Sequence, residues 1–129
     1  NRSRIVILRM ITLGAPLVFS EASVTIEDVL NSCRFAFSII FHKCTFMSCK
    51  LVAKALSTLK NLETLTLRDC SSGDLICFEL RNSKSLRRLH VGTGGDNSER
   101  CGITEQAVSY IAMIEQLEEL KIVGWSQII

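Results

Sequence analysis

A chain of 129 residues, 47% hydrophobic and 22% charged, has the size of one domain and enough apolar content to hide roughly two-thirds of its unfolded surface. Seven Gly and one Pro exclude collagen-like or low-complexity order, and the apolar fraction excludes a disordered chain. Fifteen basic against thirteen acidic residues leave a formal charge of +2, and with one Trp, one Tyr and six Phe this argues against a phosphate-binding or base-stacking nucleic-acid domain.

The chain opens on Asn1-Arg2-Ser3-Arg4 and an apolar run from Ile5 to Phe19, a pattern with a faint likeness to a secretory leader. Arg9 interrupts the run, no small-x-small cleavage site follows cleanly, and the run is too short to span a bilayer. The better expectation is a strand, with Ile5, Leu8 and Met10 pointing to one side. Next comes a helix: Ile26, Val29 and Leu30 stand at i, i+3, i+4, and Thr25 with Asp28 three residues on forms an N-cap signal. Ala36, Ile39, Phe41 and Cys44 begin a second strand unit, and Val52, Ala55, Leu56 and Leu59 mark its helix. Leu62, Leu65, Leu67 and Cys70 repeat the strand spacing most clearly, and Leu86, Leu89 and Val91 repeat it again. The stretch from Thr93 to Gly102 reads as a loop. Thr104 then caps a helix striped by Ala107, Ile111 and Ile114, and Leu117, Leu120 and Ile122 give a last strand.

The strand units begin at 5, 36, 62, 86 and 117, in steps of 31, 26, 24 and 31 residues. A unit of strand, turn, helix and return cannot bury both its faces alone. Stacked units can, with parallel strands joined by helical crossovers. The expected fold class is therefore α/β, with residues 1–129 forming a single domain of about five units.

In this spacing the sequence resembles the leucine-rich-repeat family, in its cysteine-containing subtype, whose unit reads C-x-x-L-x-x-L-x-L-x-x-C. Cys33, Ala36, Ile39, Phe41 and Cys44 carry both cysteines of that pattern; Leu59, Leu62, Leu65, Leu67 and Cys70 carry the second. The fourth unit departs, with Ser83 and Gly94 at the two cysteine positions, although Cys101-Gly102-Ile103-Thr104-Glu105 is similar to the family's pre-helix segment. The likeness spans about 5–125. It implies a right-handed solenoid with a concave parallel sheet and convex helices. It also implies a non-catalytic recognition module, foremost the substrate-binding region of an F-box-type ubiquitin-ligase receptor. The sensing region of a nucleotide-binding immune receptor, or a secreted disulfide-bonded receptor ectodomain, are the alternatives. No F-box or nucleotide-binding sequence is recognisable, and the missing initiator Met and apolar Ile128-Ile129 suggest a fragment of a longer array with flanking domains.

Within that frame the outward strand residues form three columns. They read Ile7, Ser38, Thr64, Arg88, Glu119; then Arg9, Ile40, Thr66, His90, Lys121; then Ile11, His42, Arg68, Gly92, Val123. Arg9, His42, Arg68, Arg88, His90 and Lys121 are the candidate partner-binding residues, a basic strip suited to an acidic or phosphorylated protein partner.

Six cysteines raise other chemistries. Three of them, Cys33, Cys44 and Cys70, fall on the repeat frame, as small apolar side chains whose S–H can reach a backbone carbonyl. His42, Cys44 and Cys49 lack the close cysteine pairs of structural zinc sites. A cysteine–histidine dyad is opposed by inward thiols and outward imidazoles. Gly92-Thr93-Gly94-Gly95 lacks the spacing of a phosphate loop. The expectation is a reduced cytoplasmic protein without metal, cofactor, nucleic acid, membrane or catalytic site.

Overall fold

The computed structural model describes residues 15–92 and 104–123. In chain order these form β1 (Leu17–Ser20), β2 (Ser23–Val24), α1 (Ile26–Ser32), β3 (Ser38–His42), β4 (Thr45–Phe46), α2 (Cys49–Ser57), β5 (Thr64–Arg68), α3 (Gly73–Leu80), β6 (Arg88–Gly92), α4 (Glu105–Ile111) and β7 (Glu119–Val123). Strands β1, β3, β5, β6 and β7 make one five-stranded parallel sheet in that order, and β2 pairs with β4 in a separate parallel ladder. The architecture is mixed α/β, with a helix on each crossover from β1 to β7 and each helix packed on the next in the chain.

Alternating apolar residues create the sheet's buried face. Leu17, Ile39, Leu65, Leu89 and Leu120 share one row across the five strands; Phe19, Phe41, Leu67, Val91 and Ile122 share the row two residues on. Ile39, Phe41, Leu65 and Leu89 are fully buried, in one cluster with Val29 of α1, Val52 and Leu56 of α2, Ile76 and Leu80 of α3, and Ala107 of α4. Burial of each such aliphatic side chain contributes about 1.5–3 kcal/mol. Phe41 stacks on Phe19 at 5.3 Å and meets Phe46 edge-on at 5.2 Å, tying β3 to its neighbours on both sides of the core.

Backbone bonds repeat at both ends of the strands. At the entry, the Phe37 carbonyl accepts from Glu63 and Thr64, the Glu63 carbonyl from Arg87 and Arg88, and the Arg87 carbonyl from Glu118 and Glu119. At the exit, Glu21, Lys43 and Asp69 all have φ of 53–54°, and their N–H groups donate to the carbonyls of His42, Arg68 and Gly92 on the next strand. A left-handed residue turns the chain off the sheet without losing the ladder, and the cost of a Cβ there is met by that bond.

The thiols follow the same rule. Cys44 donates to the Phe19 carbonyl and Cys70 to the Phe41 carbonyl, each at 3.3 Å and each onto the preceding strand. Both lie buried where the chain leaves the sheet, as the frame predicts.

Three features differ from the sequence expectation. The strand beside β3 is Leu17–Ser20, not a segment beginning at Ile5; the residues around Ile5 lie outside the described residues. With this strand Ala22 takes the small inward corner position, a register hidden because Ala22 carries little apolar signal. Helix α3 escapes the stripe reading because Leu75, Ile76, Cys77 and Phe78 form a continuous run, with Gly73 at its start. Helix α4 ends at Ile111, so Ile114 is buried in the return to β7 and not on the helix.

Candidate functional site

The sheet's second face carries the outward columns. Its rows are Ser38, Thr64, Arg88, Glu119; Val18, Ile40, Thr66, His90, Lys121; and Ser20, His42, Arg68, Gly92. Val18 takes the place assigned to Arg9, which lies outside the described residues. The other five candidates, His42, Arg68, Arg88, His90 and Lys121, stand on this face, because strict alternation sends every second side chain away from the core.

The face is divided. Toward β1 it is apolar and hydroxyl-bearing, with Val18 55% exposed beside Ile40 and Thr66. Toward β7 it is an ion-pair network centred on Glu119. His90 Nε2 is 3.0 Å from Glu119 Oε2, and Lys121 Nζ is 3.8 Å from Oε1. The hydrogen bond with His90 leads the effects that lower the Glu119 pKa, joined by the charges of Lys121, His90 and Arg88. Arg88 lies 4.0 Å from Glu118, while Arg87 at the strand entry bridges Glu63 at 3.5 Å and Glu118 at 3.1 Å.

The expected basic strip is thus partly neutralised. His90, Lys121 and Arg88 are engaged by carboxylates that the column reading left unpaired. His42 also has partners: Ser20 Oγ at 3.5 Å on Nδ1 and Asp69 at 3.9 Å from Nε2. Arg68 differs: it is exposed in mid-sheet and forms no ion pair with a described residue. The column pattern does not mark Asp69 and Glu118, because they flank the strand columns. The signal for Asp69 was its place just after the strand, where the left-handed turn keeps it beside His42.

The described thiols do not stand on this face. Cys33, Cys44, Cys70 and Cys77 are buried among the core residues. Burial pushes the Cys33 and Cys77 thiols up to about 12, with nearby Asp28 and Asp74 adding to it. Cys49 is half-buried and is raised by burial, with a partly opposing hydrogen bond to Ser72. None of the five described cysteines is in a disulfide bond, and no group of three or more His, Cys, Asp or Glu side chains suited to a metal occurs among the described residues. No helix among them is long and apolar enough to cross a membrane. Chemically, the described part of the face offers the Arg68 guanidinium, without an ion pair to a described residue, beside cations held by exchangeable carboxylates, an arrangement that can bind anions.

No protein-family model, curated protein or solved structure matches the chain.

Proposed function

We propose that this chain is a leucine-rich-repeat solenoid of the cysteine-containing subtype, with the parallel sheet concave and the helices convex. Its role is non-catalytic protein recognition, as the substrate-binding region of an F-box-type ubiquitin-ligase receptor working in the cytoplasm beside flanking domains. The observation that carries the repeat assignment is the recurrence of one thiol bond: Cys44 and Cys70 each reach back to the carbonyl of the preceding strand at the same unit position. The five described cysteines, none of them in a disulfide bond, favour a reducing compartment over a bridged ectodomain.

The partner's chemistry follows from Arg68 and its neighbours. An acidic or phosphorylated segment laid along the sheet meets Arg68 first, then competes with Glu119 and Glu118 for His90, Lys121 and Arg88. A rigid sheet costs little ordering on binding. The test is charge reversal. Arg68→Glu with Arg88→Glu should weaken binding of acidic and phosphorylated peptides by at least about tenfold, measured by fluorescence anisotropy, and leave thermal unfolding nearly unchanged. Equal affinity in the variant would remove the sheet face as the binding surface.

A further inference from the structure

A second concavity lies away from the sheet face, where the chain returns from α2 to β5 and from α3 to β6. It is a cleft of about 480 Å³, within the range of small-molecule sites. Two kinds of group line it. Lys54, Lys60, Lys84 and Asn82 bear donor groups. None of the three ammonium groups is within ion-pair distance of a described carboxylate.

The acceptors are more constrained. Ser57 Oγ donates its hydrogen to the Lys54 carbonyl at 2.6 Å, Thr58 Oγ1 to Ala55 at 2.8 Å, and Ser85 Oγ to Leu59 at 2.8 Å. Their oxygens are left with accepting capacity only. Glu79, on α3, also lines the cleft. It is 7% exposed, yet its side chain has neither a hydrogen bond nor an ion pair with a described residue. No unpartnered buried side-chain oxygen is fully sealed from solvent among the described residues, so the Glu79 carboxylate opens into the cleft. A carboxylate on so little exposed a residue is usually paired.

We propose that this cleft binds a small acidic amino acid: its ammonium group on Glu79 and the hydroxyl oxygens, its acid groups on the lysines. Two features select this class. Glu79 and the hydroxyl acceptors call for a cationic group on the ligand, while the three lysines leave the lining two charges positive, which calls for acid groups and disfavours a simple cation. The site is independent of the sheet face and of any partner bound there.

L-glutamate and glutarate, which lacks the amino group, are the probes. Both are titrated into the 129-residue chain with calorimetry and amide NMR. Glutamate should shift the amides of 57–60 and 82–85 and bind at least about tenfold more tightly than glutarate. Glu79→Gln should bring glutamate down to the level of glutarate, whereas Lys60→Ala with Lys84→Ala should weaken both. Absence of shifts in those segments at about 10 mM glutamate, a concentration that saturates a millimolar site, overturns the proposal. Glutarate binding as tightly as glutamate overturns it too, since the cleft would then be an anion site without a role for Glu79. The two-probe comparison uses the unmodified chain and stands even if a variant fails to fold.

Discussion

Glu119 shows how one side chain sets the character of a surface. Its two oxygens hold His90 and Lys121, and the hydrogen bond with His90 is the main reason its carboxyl titrates below the ordinary range. A carboxylate with a folded pKa below its unfolded value contributes stability above the unfolded pKa, and that contribution is lost as pH falls through the folded value. NMR titration of the Glu119 carboxyl should therefore give a midpoint below 4.5, and His90→Ala should move it upward. An unmoved midpoint would mean that Lys121 and Arg88 hold the charge without the imidazole. The cysteines are the buried counterpart. With their pKa values near 12, Cys33 and Cys77 are thiols at neutral pH, so brief alkylation of the native chain at pH 8 should modify Cys49 well ahead of both. Mass spectrometry of the labelled peptides reads the order, and early labelling of Cys77 would contradict its burial in α3.

Among the elements, α1 depends most on its cap. It has seven residues, below the length at which a helix holds itself in water. Thr25 Oγ1 accepts from the Asp28 N–H at 3.2 Å, and the Asp28 carboxylate accepts from the Thr25 N–H at 2.9 Å, a reciprocal capping box. Thr25→Ala should lower stability by about 1 kcal/mol in urea titration, within the range for caps. Thr104 caps α4 through the Gln106 N–H, and is itself gripped by Asp74 of α3, which accepts from the Thr104 N–H and hydroxyl at 2.7 Å each. The first cap was legible in the sequence because both partners lie within one turn. The grip of Asp74 was not, because its partners are 30 residues apart. The same distinction explains the candidate site. Alternation within a strand disclosed which side chains leave the core, but not that Glu118 reaches Arg87 and Arg88 on the next strand over.

For the whole molecule, the row of Leu17, Ile39, Leu65, Leu89 and Leu120 turns position in the sheet into a gradient of burial. Leu65 and Leu89 are fully buried between strands on either side, whereas Leu120 on the terminal strand β7 is 38% exposed. The spacing of the leucines disclosed this row, yet made its members equivalent; only the order of the strands separates interior from edge. The cost of truncation should follow that order. Leu65→Ala leaves a cavity that neighbours on all sides hold open, and should cost about 2–5 kcal/mol. Leu120→Ala removes atoms that already touch water and leaves a space that solvent can enter, so its cost should fall below about 2 kcal/mol, under the range for a closed cavity. Chemical denaturation of the two variants compares them directly. Equal losses would mean that β7 is covered as fully as β5, and a negligible loss for Leu65→Ala would mean that the inward and outward faces of the sheet are assigned the wrong way round. The face assignment and the edge assignment are tested by one pair of substitutions, because the same row carries both.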